Sequence, residues 1–191
     1  MIYVNIKTFF AKTLFPVLTK KGVLMQENWV HIKEFPVYTI SNFGRIVNEE
    51  KKWPIRASLN SSGILRVGLV KEGKQYTRSV KVLVADHYLL HGWTNIFNTA
   101  IQLDGDPWNC RVDNLDWRPR WFAMQHAEQF RGDISRVHYQ GPLIDPETDA
   151  MYEHVVHAAI CHGLLFKDIW SSIYDGKPTF PTNQTFKIMR N

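Results

Sequence analysis

Short apolar runs separated by turns of Asn and Gly dominate the chain from Trp29 onward, and they constrain its fold more than any other feature. The segment VYTISNFGRIVN alternates apolar and polar residues around a turn at residues 41–44, where Asn and Gly accept a positive φ. In GILRVGLVKEGKQYTRSV the alternation over residues 64–69 is followed by the turn at residues 71–74 and a second alternating run. This pattern predicts a β-hairpin.

Helical spacing follows these strands. Apolar residues recur at such a spacing from Val80 to Tyr88, which predicts a helix that begins near Ser79. A second helix is predicted from about Arg120 to Phe130. Two short helices, near Tyr152–Cys161 and Phe166–Tyr174, each end at a glycine and give a helix-turn-helix outline.

These elements predict an α+β fold divided along the chain. We expect an extension of unknown role at residues 1–24 and a β-rich N-terminal module at 25–78. A core of mixed structure occupies 79–131, a linker 132–142, and a C-terminal helix-turn-helix module 143–191.

Composition limits the partners. Lys and Arg number 23 against 18 Asp and Glu, a net charge of +5 that suits nucleic acid without requiring it. Cys110 and Cys161 lie far apart, so we expect two reduced thiols rather than a zinc site or a disulfide framework. No apolar run reaches the roughly 18 residues of a membrane span, and the first 24 residues do not resemble a signal peptide.

Three blocks of the sequence, taken in order, resemble the HNH homing endonucleases of phages and mobile introns. NWVHIKEFPVYTISNFGRIVN is similar to the nuclease-associated module of those enzymes, with Trp29, residues 38–42 and Gly44-Arg45 at its signature positions. VKVLVADHYL and IQLDGDPWNCRVDNLDWRPRWFAMQHA resemble the HNH core, and residues 145–189 resemble the C-terminal helix-turn-helix repeat. The resemblance covers roughly residues 26–189 and implies a core of the ββα-metal type.

The same resemblance implies DNA cleavage with one divalent cation and a histidine general base, but those positions are replaced. The base position is Gln102, whose amide cannot hold the proton. The metal-ligand position before it is Ile101, which has no lone pair, and the second ligand position is Ala123. We therefore expect a degenerate HNH core with no catalytic residue, metal ion or cofactor.

A rearranged metal site is the alternative. Asp104, Asp106 and His126 offer the ligand types that suit Mg²⁺ or Mn²⁺, and His87 or His91 would replace the lost base. The structural interpretation of the same residues is a turn built on the two aspartates, a half-exposed His126, and a His87 packed on its helix.

DNA contacts are expected from basic and polar side chains on loops, on the hairpin and on the second C-terminal helix, which would read the DNA. The candidates are Asn42, Arg45, Lys51, Lys52, Arg66, Lys71, Lys74, Arg78, Arg118, Arg120, Lys167, Ser171, Ser172, Lys177 and Thr179. Solvated surface cations are the alternative for most of them.

Three functions remain open from the sequence. The first is a monomeric DNA-binding protein of phage or mobile-element origin, which binds double-stranded DNA in the cytoplasm of a bacterial host and does not cleave it. The second is a metal-dependent nicking endonuclease with shifted ligands. The third is a factor that binds a phage or host protein through exposed aromatic residues such as Trp53, Trp93, Trp108 and Trp121. A steep salt dependence would distinguish DNA binding from the third function.

Overall fold

A computed structural model describes residues 17–18, 24–89, 91–132 and 141–189 of the chain. Five small sheets and four α-helices lie within these residues, which confirms the predicted α+β class. Most of the 1–24 extension and of the 132–142 linker lies outside the described residues. None of the described helices is long and apolar enough to cross a membrane.

Antiparallel strands make up the N-terminal module and the described part of the extension before it. They are β1 (Val17–Leu18) paired with β2 (Leu24–Met25), a four-stranded sheet of β3 (Trp29–Ile32), β4 (Phe35–Ser41), β5 (Ile46–Asn48) and β6 (Trp53–Pro54), and a three-stranded sheet of β7 (Ser58–Leu59), β8 (Leu65–Lys71) and β9 (Lys74–Ser79). The predicted hairpin is β8–β9. Lys71 pairs with Lys74 across a two-residue turn in which both Glu72 and Gly73 have positive φ, and such a turn matches the twist of the strands.

The core consists of a helix, a hairpin and a closing helix. Its elements are α1 (Val80–Tyr88), β10 (Phe97–Gln102), β11 (Leu115–Pro119) and α2 (Arg120–Gln129), and β10 pairs antiparallel with β11. Neighbouring residues of β10 point to opposite faces of the hairpin. Ala100 packs with Ala85 of α1, whereas Ile101 packs with Phe122 of α2.

The C-terminal module combines two helices with a small sheet. The strands β12 (Leu143–Asp145), β13 (Ala150–Tyr152) and β14 (Lys187–Ile188) form a sheet in the order β13-β12-β14, beside α3 (Val155–His162) and α4 (Phe166–Asp175). Gly163 and Gly176 end the helices in the left-handed conformation, as predicted. The helix α3 begins later than Tyr152 because Tyr152 belongs to β13 and His154 caps the helix by accepting a hydrogen bond from His157 N.

One hydrophobic cluster joins the N-terminal module to the core. Ile40 and Leu69 from the sheets pack in it with Val84 of α1 and with Cys110. Val112 N donates a hydrogen bond to the carbonyl oxygen of Asn42 (2.8 Å), and a Cβ at Gly44 would lie 3.1 Å from Cys110 Cβ. The two regions therefore share one interior rather than meeting at a solvated boundary.

Candidate nucleic-acid interface

The loop after β10 is organised by Asp104. One oxygen of this carboxylate accepts hydrogen bonds from Asn114 Nδ2 (2.8 Å) and Asp106 N (3.0 Å), and the other accepts one from Asn109 Nδ2 (2.6 Å). Asp106 Oδ1 in turn accepts a hydrogen bond from Trp108 N (2.9 Å). Both aspartates thus make the hydrogen bonds of a turn, as in the structural interpretation of these residues.

His126 is buried rather than half-exposed as the structural interpretation expected. Its side chain is 2% exposed and stacks on Phe122, and its Nε2 atom has no hydrogen-bond partner. Burial is the main cause that lowers the pKa of His126 to about 4, and the positive charges of Arg118 and Lys81 contribute to the same shift. Within the residues that the structure describes, no three His, Cys, Asp or Glu side chains form a group that could hold a metal ion.

The two other histidines proposed as bases differ in their surroundings. His87 bonds through both ring nitrogens. Its Nδ1 lies 2.7 Å from the carbonyl oxygen of Leu83, and its Nε2 accepts a hydrogen bond from Lys33 N (3.1 Å). His87 therefore connects α1 to the turn between β3 and β4, while His91 is exposed.

The three residues at which the sequence resemblance implies a replaced ligand or base take part in packing and internal hydrogen bonding. Ile101 is 3% exposed and lies in an apolar cluster with Leu103, Phe122 and Leu165, against which Ala123 also packs. Because Leu165 belongs to the C-terminal module, Ile101 takes part in the contact between that module and the core.

Gln102, at the position of the general base, is held from both ends of its amide. Its Nε2 donates a hydrogen bond to the carbonyl oxygen of Pro107 (3.1 Å) and lies 3.6 Å from Cys110 Sγ, and its Oε1 accepts one from Lys81 Nζ (3.2 Å). Burial raises the pKa of Cys110 to about 11 and lowers that of Lys81. Lys81 was not predicted as a site residue from the sequence, where the one feature that marks it is its position among the apolar residues of α1.

The turn between α3 and α4 lies on the core. Arg118 donates hydrogen bonds to the carbonyl oxygen of His162 (2.8 Å) and to Asp116 (2.5 Å). Gln129 donates to the carbonyl oxygen of Leu164 and accepts from Phe166 N, both at 3.0 Å. Arg118, a predicted DNA contact, is 4% exposed, and its guanidinium instead bridges the core and the C-terminal module.

Three further polar candidates are also buried. Asn42 accepts a hydrogen bond from Asn28 N and donates one to the carbonyl oxygen of Gln26, both at 2.9 Å. Ser172 accepts one from Phe186 N (2.8 Å), and Thr179 is fully buried and donates one to the carbonyl oxygen of Gln184 (3.0 Å). These side chains stabilise the fold and offer no open surface to DNA, contrary to their selection as contacts.

The remaining cations lie at the surface. Arg45 pairs with Glu27, Lys52 with Glu49, Arg78 with Glu34 and Lys177 with Asp175. The other exposed candidates are Lys51, Arg66, Lys71, Lys74, Arg120 and Lys167. On the hairpin β8–β9, none of the described carboxylates forms an ion pair with Arg66, Lys71 or Lys74. Surface ion pairs such as that of Arg78 are weak.

The helix α4 has one buried face and one exposed face. Ile169 is fully buried, whereas Lys167 is exposed, Ser171 is half-buried and Tyr174 is 65% exposed. These three residues follow each other at helical spacing along one face. Trp170 stacks on Tyr174, with ring centroids 5.8 Å apart, so the face includes an aromatic pair that the sequence analysis had not included among the contacts.

Comparisons with known proteins agree with part of this description. No protein of the curated set matches the chain. A solved structure described as "DNA binding and cleavage by the HNH homing endonuclease I-HmuI" aligns with 86% of this chain and 99% of that chain, at 21% identity and a TM-score of 0.49. The model of the NUMOD4 motif matches residues 27–70, the segment that contains Trp29 and Gly44-Arg45. This chain therefore contains a NUMOD4 motif, which supports its resemblance to HNH homing endonucleases.

Proposed function

We propose that this protein binds double-stranded DNA as a monomer, on the scaffold of an HNH homing endonuclease, and does not cleave it. A phage or mobile-element origin and a location in the bacterial cytoplasm belong to the same proposal. The observation that carries it is the state of the three replaced positions. Ile101 and Ala123 pack in an apolar cluster, and the amide of Gln102 is hydrogen-bonded at both ends.

The DNA-binding part of the proposal is supported by two exposed surfaces. One is the hairpin β8–β9, where Arg66, Lys71 and Lys74 make an exposed ribbon of cations suited to backbone phosphates. The other is the outer face of α4, where Lys167 and Ser171 lie beside the exposed Tyr174, which stacks on the half-buried Trp170. Such a face suits contacts with base edges in the major groove.

The inactive part of the proposal is supported by charge as well as by packing. The neutral His126 is buried near two positive groups, Arg118 and Lys81, and near Asp104. Arg118 is paired with Asp116, but none of the described carboxylates forms an ion pair with Lys81. Lys81 would repel a divalent cation placed near this histidine, so the site is poorly suited to Mg²⁺ or Mn²⁺.

A paired assay tests the proposal. Binding and nicking are scored in the same samples, on supercoiled and linear DNA, with Mg²⁺, with Mn²⁺ and with EDTA. We expect binding that weakens steeply with salt, that does not depend on the cation, and that is accompanied by no nicking. Nicking that EDTA abolishes, and that a folded Asp104→Asn variant loses, would establish the endonuclease alternative instead.

Exposed tryptophans favour a second candidate, a protein partner. Trp53 is 70% exposed, Trp108 58%, Trp93 56% and Trp121 53%, and large exposed aromatic residues are enriched where proteins bind one another. If the chain binds no duplex in the paired assay at low salt, the phage or host protein partner becomes the function to test.

A further inference from the structure

Lys81 of α1 is held beside Gln102, the last residue of β10, which stands at the position that the resemblance gives to the general base. The amide NH₂ of Gln102 is bound to the carbonyl oxygen of Pro107, so the amide oxygen is turned toward α1. Lys81 Nζ donates to that oxygen at 3.2 Å. The ammonium group is therefore held at the end of the hairpin rather than extending freely into solvent.

The charge of Lys81 is not balanced by an acid. No carboxylate of the described residues forms an ion pair with it, and the first turn of α1 contains no acidic residue. An ammonium has three donors, and the one bond seen here is to a neutral amide. A half-buried cation in such surroundings is costly until an anion accepts its remaining hydrogen bonds.

The neighbouring groups favour an anion over a metal ion. Lys81 and Arg118 both place positive charge near His126, and Asp104 opposes them there. Arg118 is also paired with Asp116, so Lys81 is the cation of this region without a carboxylate partner among the described residues. Both oxygens of Asp104 are already engaged by Asn109 and Asn114. A phosphate group is the ligand that suits this position, because it supplies both negative charge and several hydrogen-bond acceptor oxygens.

We propose that Lys81 is a phosphate-binding residue whose ammonium, held by Gln102 Oε1, contacts a DNA backbone phosphate without any metal ion. This inference rests on the proposed DNA binding. If the inference is right, the core itself contacts DNA. The ammonium group of Lys81 would then bind the phosphate where the HNH enzymes would use a divalent metal ion.

The test compares full-length Lys81→Met, Lys81→Arg and a control, Lys33→Met, which removes an exposed lysine outside the proposed interface. Duplex affinity is measured in EDTA over a series of salt concentrations. We expect Lys81→Met to bind about tenfold more weakly and to lower the slope of log K against log salt by about 0.9. Lys81→Arg should retain the wild-type slope, as should Lys33→Met. A wild-type slope in Lys81→Met would overturn the inference.

A second measurement separates this inference from the proposed function. The Nζ signal of Lys81 is titrated with pH in the wild-type protein by NMR, with and without inorganic phosphate. If the protein binds no duplex, DNA binding fails as a function. A titration midpoint of Lys81 that rises in phosphate would then still support a phosphate site. A midpoint unchanged in phosphate, in a protein that binds no duplex, would overturn the site as well. Unfolding temperatures of all variants confirm that each one is folded.

Discussion

Gly163 lies so close to Leu103 that a Cβ built on the glycine would be 2.5 Å from Leu103 Cδ2. The same Cβ would lie 3.2 Å from Arg118 Nη2 and 3.4 Å from Ile101 Cδ1. The backbone at the end of α3 thus lies directly against the ends of three core side chains, one of which is Ile101. The contact explains why an apolar side chain suits position 101 in this protein.

Replacing Gly163 with Ala tests this contact. The left-handed conformation of Gly163 (φ 60°) costs an alanine about 1 kcal/mol, and overlap with Leu103 adds about 1–3 kcal/mol. Gly176→Ala is the matched control, because Gly176 has a similar φ of 67° and no atom within 4 Å of its Cβ position. We expect Gly163→Ala to reduce the free energy of unfolding more than Gly176→Ala. Equal losses in denaturant titrations would show that the modules do not press together there.

The acid sensitivity of the fold should depend on His126. Its pKa is about 4 in the folded protein against 6.5 in the unfolded chain, so the unfolded state binds the proton first. Stability contributed by the neutral ring is complete above pH 6.5 and is lost as the pH falls toward 4, by about 3 kcal/mol at pH 4. Denaturant titrations at pH 7, 5.5 and 4 measure this loss.

The matched variants for this measurement are His126→Leu and His91→Gln. The leucine removes the buried titrating group and should flatten the pH dependence between 6.5 and 4. His91 is exposed, and its replacement should leave that dependence as in the wild type. A wild-type pH dependence in His126→Leu would place the acid-sensitive group elsewhere.

Restoring the ligand and the base by Ile101→Asp with Gln102→His should not restore cleavage. Ile101 is 3% exposed among apolar side chains, and an unpaired carboxylate there costs about 3–5 kcal/mol. We expect a marked fall in the unfolding temperature and no nicking with Mg²⁺ or Mn²⁺. Ile101→Val, which costs about 0.5–1.5 kcal/mol, controls for the lost volume. Nicking by the double variant would instead show a latent metal site.

Two neighbouring serines of α4 should separate binding from stability. Ser171→Ala, alone or with Lys167→Ala, changes the outer face and should weaken duplex binding at an unchanged unfolding temperature. Ser172→Ala leaves Phe186 N without its acceptor, at a cost of about 1–3 kcal/mol of stability. Ser172→Ala should weaken duplex binding only to the extent that it reduces the fraction of folded protein. The reverse pattern would mean that the other face of α4 reads the DNA.

Local patterns in the sequence predicted the local structure well. Alternation and the Gly73 turn predicted the hairpin β8–β9, and apolar spacing predicted α1 and α2. The strands β12 and β14 were not predicted, because each has three residues or fewer and they pair across more than forty residues of chain. Such pairing leaves no periodic signal in the sequence.

The sequence predicts which residues stand at the replaced positions, Ile101, Gln102 and Ala123, and that assignment stays a prediction. Their surroundings could not be predicted. The burial of Arg118 under the C-terminal module could not be predicted from the sequence, because the carbonyl oxygen that accepts its hydrogen bond belongs to a residue forty-four positions away in the chain. The bond between Lys81 and Gln102 likewise depends on how α1 lies on the hairpin, which is a property of tertiary packing.

The shared interior of the NUMOD4 segment and the core has a consequence for how such proteins recombine. Residues 27–70 have no separate interior to carry with them, because Ile40 and Leu69 are covered by α1 and by the Cys110 loop. A gene fragment encoding this segment alone would transfer an incomplete fold. A core that received this segment would need a small side chain next to Gly44 and a free backbone N–H group next to the carbonyl oxygen of Asn42. We therefore expect recombination between genes to favour breakpoints beyond residue 114 over breakpoints near residue 78.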